Sequence, residues 1–196
     1  MKKTLLLSLV CLVFACSIQA QDFNKDLAGA RTAYSGGKLD DARFAMQQML
    51  QELDIITGKE ILKLLPARMQ DQNVNTAQDD VSGSSGFVGV TIHRDYGAND
   101  KNVSLDIITN SPLITSINAL LSIPLIANTG DNKMMKIGGY KALVQKVSNG
   151  NGGSDYEVQL PLNNNLITLK APGYIMEQVV AMANTLPVAQ IAKIVQ

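Results

Sequence analysis

Apolar and polar positions along this chain follow two different periods, and the change between them falls near the middle. In residues 22–70 the apolar positions recur every three or four residues, the spacing of an amphipathic helix. Leu27, Ala30, Ala33 and Tyr34 mark a first helix, which Gly36-Gly37 breaks. Leu39, Ala42, Met46, Met49, Leu50 and Leu53 carry an apolar stripe through a second, with Asp40 and Asp41 at the positive end of its dipole. A third helix is expected from about Thr57, carrying Ile61, Leu62, Leu64 and Leu65 and ended by Pro66. Residues 71–86 are polar and end in Gly83-Ser84-Ser85-Gly86, which reads as a linker or long loop.

From residue 87 the period becomes two. Val88, Val90 and Ile92 alternate with Gly89, Thr91 and His93, predicting a strand from Phe87 to Tyr96. Val103, Leu105 and Ile107 mark a second strand, and residues 112–123 a helix ended by Pro124. Residues 134–147 read as a third strand, in which Gly138-Gly139 suggests a bulge. Residues 149–155 read as a hairpin turn between it and strands at 156–162 and 166–170. A closing helix over 175–195 restarts at Pro187. The fold class that follows is α+β: an N-terminal helical hairpin plus a third helix, then an antiparallel sheet in the order ββαβββα, covered by helices. The expected divisions are 1–20, 21–70, 71–86 and 87–196.

The first twenty residues belong to neither pattern. Lys2 and Lys3 precede an uncharged apolar run from Thr4 to Phe14, then small and polar residues up to Ala20. This is a secretory leader, and its apolar run is about half the roughly 20 residues a membrane span needs. Cleavage between Ala20 and Gln21 would free a soluble chain with no transmembrane span. The Ile18-Gln19-Ala20-Gln21 sequence resembles soluble-export leaders of the Bacteroidetes type. Alternatively, Leu12-Val13-Phe14-Ala15-Cys16 resembles a bacterial lipobox, which would anchor the protein through a lipidated Cys16. The expected location is the periplasm or the extracellular space, or a membrane surface under the second route.

Removing the leader changes the chemistry on offer. Loss of Lys2 and Lys3 turns 17 basic against 17 acidic residues into a net charge of −2. No basic patch suited to nucleic acid is visible. Both cysteines, Cys11 and Cys16, lie in the leader. A chain starting at Gln21 has no disulfide, no cysteine nucleophile and no thiolate metal site.

Two partial resemblances add to this. Tyr34, Gly37, Ala42, Met46 and Met49-Leu50 resemble one tetratricopeptide hairpin over about 25 residues, with tyrosine and glycine three apart instead of four. Such repeats need about three copies to bury a continuous core, and this chain has one. A helical hairpin packed on its own domain accounts for the same residues. The second half resembles the Mog1/PsbP-like arrangement in its order of elements and in Gly139-Tyr140-Lys141-Ala142. That resemblance implies a sheet covered by helices in a group that includes binding and assembly proteins.

Candidate chemistry is sparse. His93 is the only histidine, and Asp95 shares its strand face. A hydrolytic triad would need both, with Ser84 or Ser85, but Gly83-Ser84-Ser85-Gly86 is not a nucleophile elbow. Asn149, Asn151, Gly153 and Asp155 have the alternate spacing of a calcium loop but lack its acidic first positions and final glutamate. Gly58-Lys59 lacks the earlier glycine of a phosphate loop. Asp40-Asp41 and Asp79-Asp80 fall at a helix start and in the polar linker. The helix from Leu113 to Ile123 could line a lipid pocket, with Met134, Met135, Met176 and Met182 as adaptable surface, or simply fill the core. No catalytic, cofactor-binding or metal-ligating residue is assigned; the processing residues are Ala20, Gln21 and, alternatively, Cys16. The expected function is therefore non-enzymatic binding or assembly in the envelope, its partner an envelope protein or a small ligand. A carrier of a small hydrophobic ligand, with a cavity between the sheet and segments 112–123 and 175–195, is the alternative; a hydrolase built on His93 is the third.

Overall fold

The strict alternation at 90–108 becomes the centre of an eight-stranded antiparallel sheet in a computed structural model. The structure describes residues 23–83, 89–98, 102–123, 130–150 and 152–195. The expected leader and the expected processing residues Cys16, Ala20 and Gln21 lie outside them, as do Ser84, Ser85 and Asn151.

The chain divides into two compact units, 1–53 and 54–196. The described part of the first holds helix α1 (23–35) and the first half of α2 (Leu39–Leu64), joined by a tight turn. Gly36, Gly37 and Lys38 donate backbone hydrogen bonds to the last carbonyls of α1, and Gly37 takes a positive φ of 73°. Little is buried here: of the described hydrophobic residues before 54, only Ala30 and Ala42 are.

The second unit runs β1 (Arg68–Met69), β2 (Gln72–Gly83), β3 (Val90–Tyr96), β4 (Val103–Ile108), α3 (Ile114–Ser122), β5 (Asn132–Ile137), β6 (Tyr140–Ser148), β7 (Ser154–Leu162), β8 (Asn165–Ala171), α4 (Met176–Ala183) and α5 (Val188–Ile194). The sheet order is β1-β2-β3-β4-β8-β7-β6-β5: two four-stranded meanders joined where β4 pairs with β8. The α+β class holds. The element order differs from ββαβββα in three places, each with a physical reason.

The expected separate third helix does not exist, because α2 runs unbroken from Leu39 to Leu64. Gly58 lies inside it and permits a close approach to the sheet: a Cβ there would sit 2.6 Å from Val81 Cγ1 and 3.1 Å from Ile92 Cγ1. The stretch expected as a linker at 71–86 contains β2, a 12-residue strand with few apolar side chains. Its pairing with β3 supplies backbone hydrogen bonds that a hydrophobic pattern cannot register. The expected third strand is a hairpin, β5 and β6. Gly138 and Gly139 form its two-residue turn, with positive φ of 55° and 90°.

One sheet face carries the core. Ile92, Leu105, Ile107, Val158, Leu160, Ile167 and Leu169 cluster with Ile61 and Leu65 of α2, Val179 and Met182 of α4, and Val188 and Ile191 of α5. The opposite face is covered in part by α3, whose Ile117 and Leu121 pack on Leu143 and Leu166. The described parts of segments 112–123 and 175–195 therefore lie on opposite faces of the sheet.

Candidate functional site

The uncovered part of that second face collects the polar chemistry of the sheet. Alternation along β3 puts His93 and Asp95 on it. The β3–β4 register sets His93 opposite Asp106 and Asp95 opposite Ser104. The pairing continues the second row: Ser104 opposite Lys170, Lys170 opposite Glu157, Glu157 opposite Gln145, and Gln145 opposite Asn132. Gln145 donates to Asn132 Oδ1 at 3.0 Å, and Gln159 to Glu157 Oε1 at 2.7 Å. The Gln145–Asn132 contact crosses from β6 to β5, the kind of pair that stabilises a sheet face, whereas Gln159 and Glu157 are two apart on β7.

His93 is clamped from both ends. Its Nδ1 lies 2.7 Å from Asp106 Oδ1, and its Nε2 lies 3.3 Å from Asp95 Oδ1. Burial alone would lower its pKa, but hydrogen bonding to Asp106 and the charges of Asp106 and Asp95 outweigh that and raise it. Nδ1 hydrogen-bonds to Asp106, while Nε2 stands within ion-pair distance of Asp95. A general base needs a free ring nitrogen facing a nucleophile. Among the described residues no serine or threonine hydroxyl hydrogen-bonds to His93. The sequence pairing of His93 with Asp95 is real, but Asp106, on the neighbouring strand, is the closer partner and had no local signal.

Beneath this face, on the core side of β3, lies an ion pair. Four residues of β2 bulge between the Asn75–Asp95 and Asp80–His93 pairs, opposite the single residue Arg94. The bulge presents Asp79 to Arg94, which donates through Nε at 2.8 Å and Nη2 at 2.5 Å. Arg94 Nη1 donates to the carbonyl of Leu62 at 2.9 Å, satisfying an acceptor in the last turn of α2. Asp79 is thus a structural anchor, and the Asp79-Asp80 pair divides between the two sheet faces. Neighbouring Tyr96 is fully buried; burial pushes its phenol up to about 12, against the lowering influence of Arg94.

Clefts formed by the described residues open on the sheet unit. A 580 Å³ cleft is lined by Asp54, Thr57 and Thr109, by Asn110 and Asn163 to Asn165, and by Ile194 and Val195. Burial raises the Asp54 carboxyl. That is the first requirement of a general acid, yet no second titratable group is among the described residues lining the cleft. Asn110 and Asn163 adopt positive φ, so their turns already explain their identity. A 330 Å³ cleft by the first turn of α4 gathers Lys133, Lys146 and Asp131. A 300 Å³ cleft has Val147, Tyr156, Ala171 and Pro172 among its walls.

Among the described residues, no group of three or more His, Cys, Asp or Glu side chains is arranged to hold a metal ion, and no helix is long and apolar enough to cross a membrane. Asn149 accepts a hydrogen bond from Gly153 N through Oδ1 at 3.0 Å, which closes the β6–β7 turn from within. Gly58 lies against the sheet within α2, and Lys59 is exposed.

A further group of exposed apolar side chains lies elsewhere, in the first unit. Tyr34 is 69 %, Phe44 63 % and Leu39 62 % exposed, and Leu27, Met46, Leu50 and Leu53 are each about half exposed. Sequence periodicity identified Leu27, Tyr34, Leu39, Met46, Leu50 and Leu53 as the apolar side of this hairpin, but not Phe44.

No family model matches the chain, and comparison with curated proteins and with solved structures found no significant match.

Proposed function

We propose that this is an exported, non-catalytic protein of the bacterial envelope that works by docking a partner on its N-terminal helices. The carrying observation is the apolar surface of α1 and α2. Seven large hydrophobic side chains stand exposed there against two buried alanines. Scattered single apolar residues on a surface are ordinary, whereas a concentration on one small element is the mark of an interaction site. In this reading α1 and α2 form a hairpin whose core is completed by the partner. The clamped His93 supports the non-catalytic part, since both ring nitrogens already face carboxylates. The leader supports export, with release at Gln21 or anchoring at Cys16 as the two routes.

Affinity capture from the native envelope tests the reading. The tagged wild-type protein should retain a defined partner, and Leu39→Glu with Leu50→Glu should lose it while leaving the circular dichroism of the sheet unchanged. Equal capture by both would set the docking role aside. Intact mass of the mature protein separates the two processing routes.

The carrier reading keeps one supporting observation, the 300 Å³ cleft with apolar walls. Native mass spectrometry of protein purified from its host would reveal a bound lipid if that cleft were occupied.

A further inference from the structure

The identity of the docking partner can be argued further, on the footing of the proposed docking role. We infer that the surface on α1 and α2 is closed by a second copy of this chain, giving an isologous four-helix bundle.

The argument starts from spacing. On α2, Leu39 and Met46 are seven residues apart, as are Met46 and Leu53, with Leu50 between them; on α1, Leu27 and Tyr34 are also seven apart. A seven-residue recurrence keeps apolar side chains on one seam of a helix that packs along another helix, whereas a flat ligand or sheet edge imposes no such period. The occupant is therefore helical.

The second step is area. Exposed fractions between 46 % and 69 % at Leu27, Tyr34, Leu39, Met46, Leu50 and Leu53 leave a patch on the order of 700 Å² per chain, close to the roughly 800 Å² each partner contributes to a standard stable interface. A single short peptide helix would cover only part of it. A second helical pair of the same size covers it and has the same unmet need.

The third step is charge. Residues 23–53 contain Lys25, Arg31, Lys38 and Arg43 against Asp26, Asp40, Asp41 and Glu52, a balanced set. Such a surface meets its own copy without net repulsion. A strongly basic or acidic partner gains nothing from it. Two-fold pairing of like surfaces is also the commonest way that soluble chains assemble, and two helical pairs closing on each other make the four-helix bundle.

The test uses the processed chain beginning at Gln21, which has no cysteine. Sedimentation equilibrium from about 1 to 100 μM, a range set by the weaker affinities of interfaces this size, should report a mass twice that of the chain at the upper end. Leu50→Glu should weaken association at least tenfold, and Leu50→Met should restore it because the volume and apolar character are kept. In the cysteine-free background, Leu50→Cys should form a disulfide-linked dimer under mild oxidation, and Gln48→Cys, on the other side of α2, should not. A monomer at every concentration, with Leu50→Cys failing to cross-link, overturns the inference. If that monomer still captures a different envelope protein through the same side chains, the docking role stands and self-association alone falls. If neither self-association nor capture depends on the stripe, both fall.

Discussion

The two units of this chain treat similar apolar sequence in opposite ways. In the sheet unit Leu105, Leu160 and Ile167 are at most 1 % exposed, enclosed by α2, α4 and α5. In the first unit Leu39, Met46, Leu50 and Leu53 recur with equal regularity and stand in solvent. Periodicity identifies the side of an element that seeks burial; it does not reveal whether the chain itself supplies the cover. The sheet unit has enough elements for both. Among the described residues of the first unit, the buried ones are alanines, which contribute little.

This contrast can be broken or sharpened by substitution, beginning where the effect is largest. Arg94→Met removes the cation from a pair buried at the junction of β2, β3 and the end of α2. It should cost about 3–5 kcal/mol, because Asp79 is left without its counter-charge and the Leu62 carbonyl without its donor. The urea midpoint of unfolding measures it. Leu160→Ala should cost about 2–5 kcal/mol in the same assay, whereas Leu50→Ala, of identical chemistry, should change the stability of the dilute protein by no more than about 0.5 kcal/mol. Equal losses at Leu160 and Leu50 would mean that the contrast between the two units is false.

Gly58→Ala sets two effects against each other. Alanine is the better helix former by about 1 kcal/mol, but its Cβ would lie 2.6 Å from Val81 Cγ1 and 3.1 Å from Ile92 Cγ1. Overpacking of a tight contact costs about 1–3 kcal/mol, so a net loss of about 1 kcal/mol is expected. A gain would show that α2 is held more loosely than its contact with β2 and β3 implies.

The smallest effect concerns His93. Its pKa is raised in the folded protein, so the stabilisation is fully present below the unfolded value near 6.5 and is lost as pH rises through the higher folded value. The wild type should therefore lose stability relative to His93→Gln when pH is raised from below 6.5 to above the folded value. Partial solvation of the site keeps the difference to about 1 kcal/mol or less. Parallel pH profiles for the two proteins would contradict the double clamp.

How much of this was legible in the sequence depended on where the stabilising partner lies. Strands β3 and β4, the β7–β8 hairpin and the break at Pro187 were readable, because their apolar alternation or turn residues are local. Helix α3 was readable too, its observed bounds falling within the expected 112–123. Strand β2 was not, because Val74 and Val81 are too few to set a period and its register comes from β3. The β5–β6 turn carried a signal that was misassigned: Gly138-Gly139 is a two-residue hairpin turn as readily as a bulge. The clamp on His93 was half visible. Asp95 is two residues away, but Asp106 becomes a neighbour only when β4 pairs with β3. Nothing in the local sequence links Asp79 to Arg94, since the bulge that joins them exists only in the paired sheet.

Hydrogen–deuterium exchange of the chain from Gln21 onward, compared between dilute and concentrated solution, tests the central claim most directly. Amides of α1 and of the first half of α2 should slow as concentration rises, because association completes their packing, while those of β3, β4, β7 and β8 stay equally protected throughout. Exchange in α1 and α2 that is independent of concentration, and also unchanged when native envelope extract is added, would contradict the account.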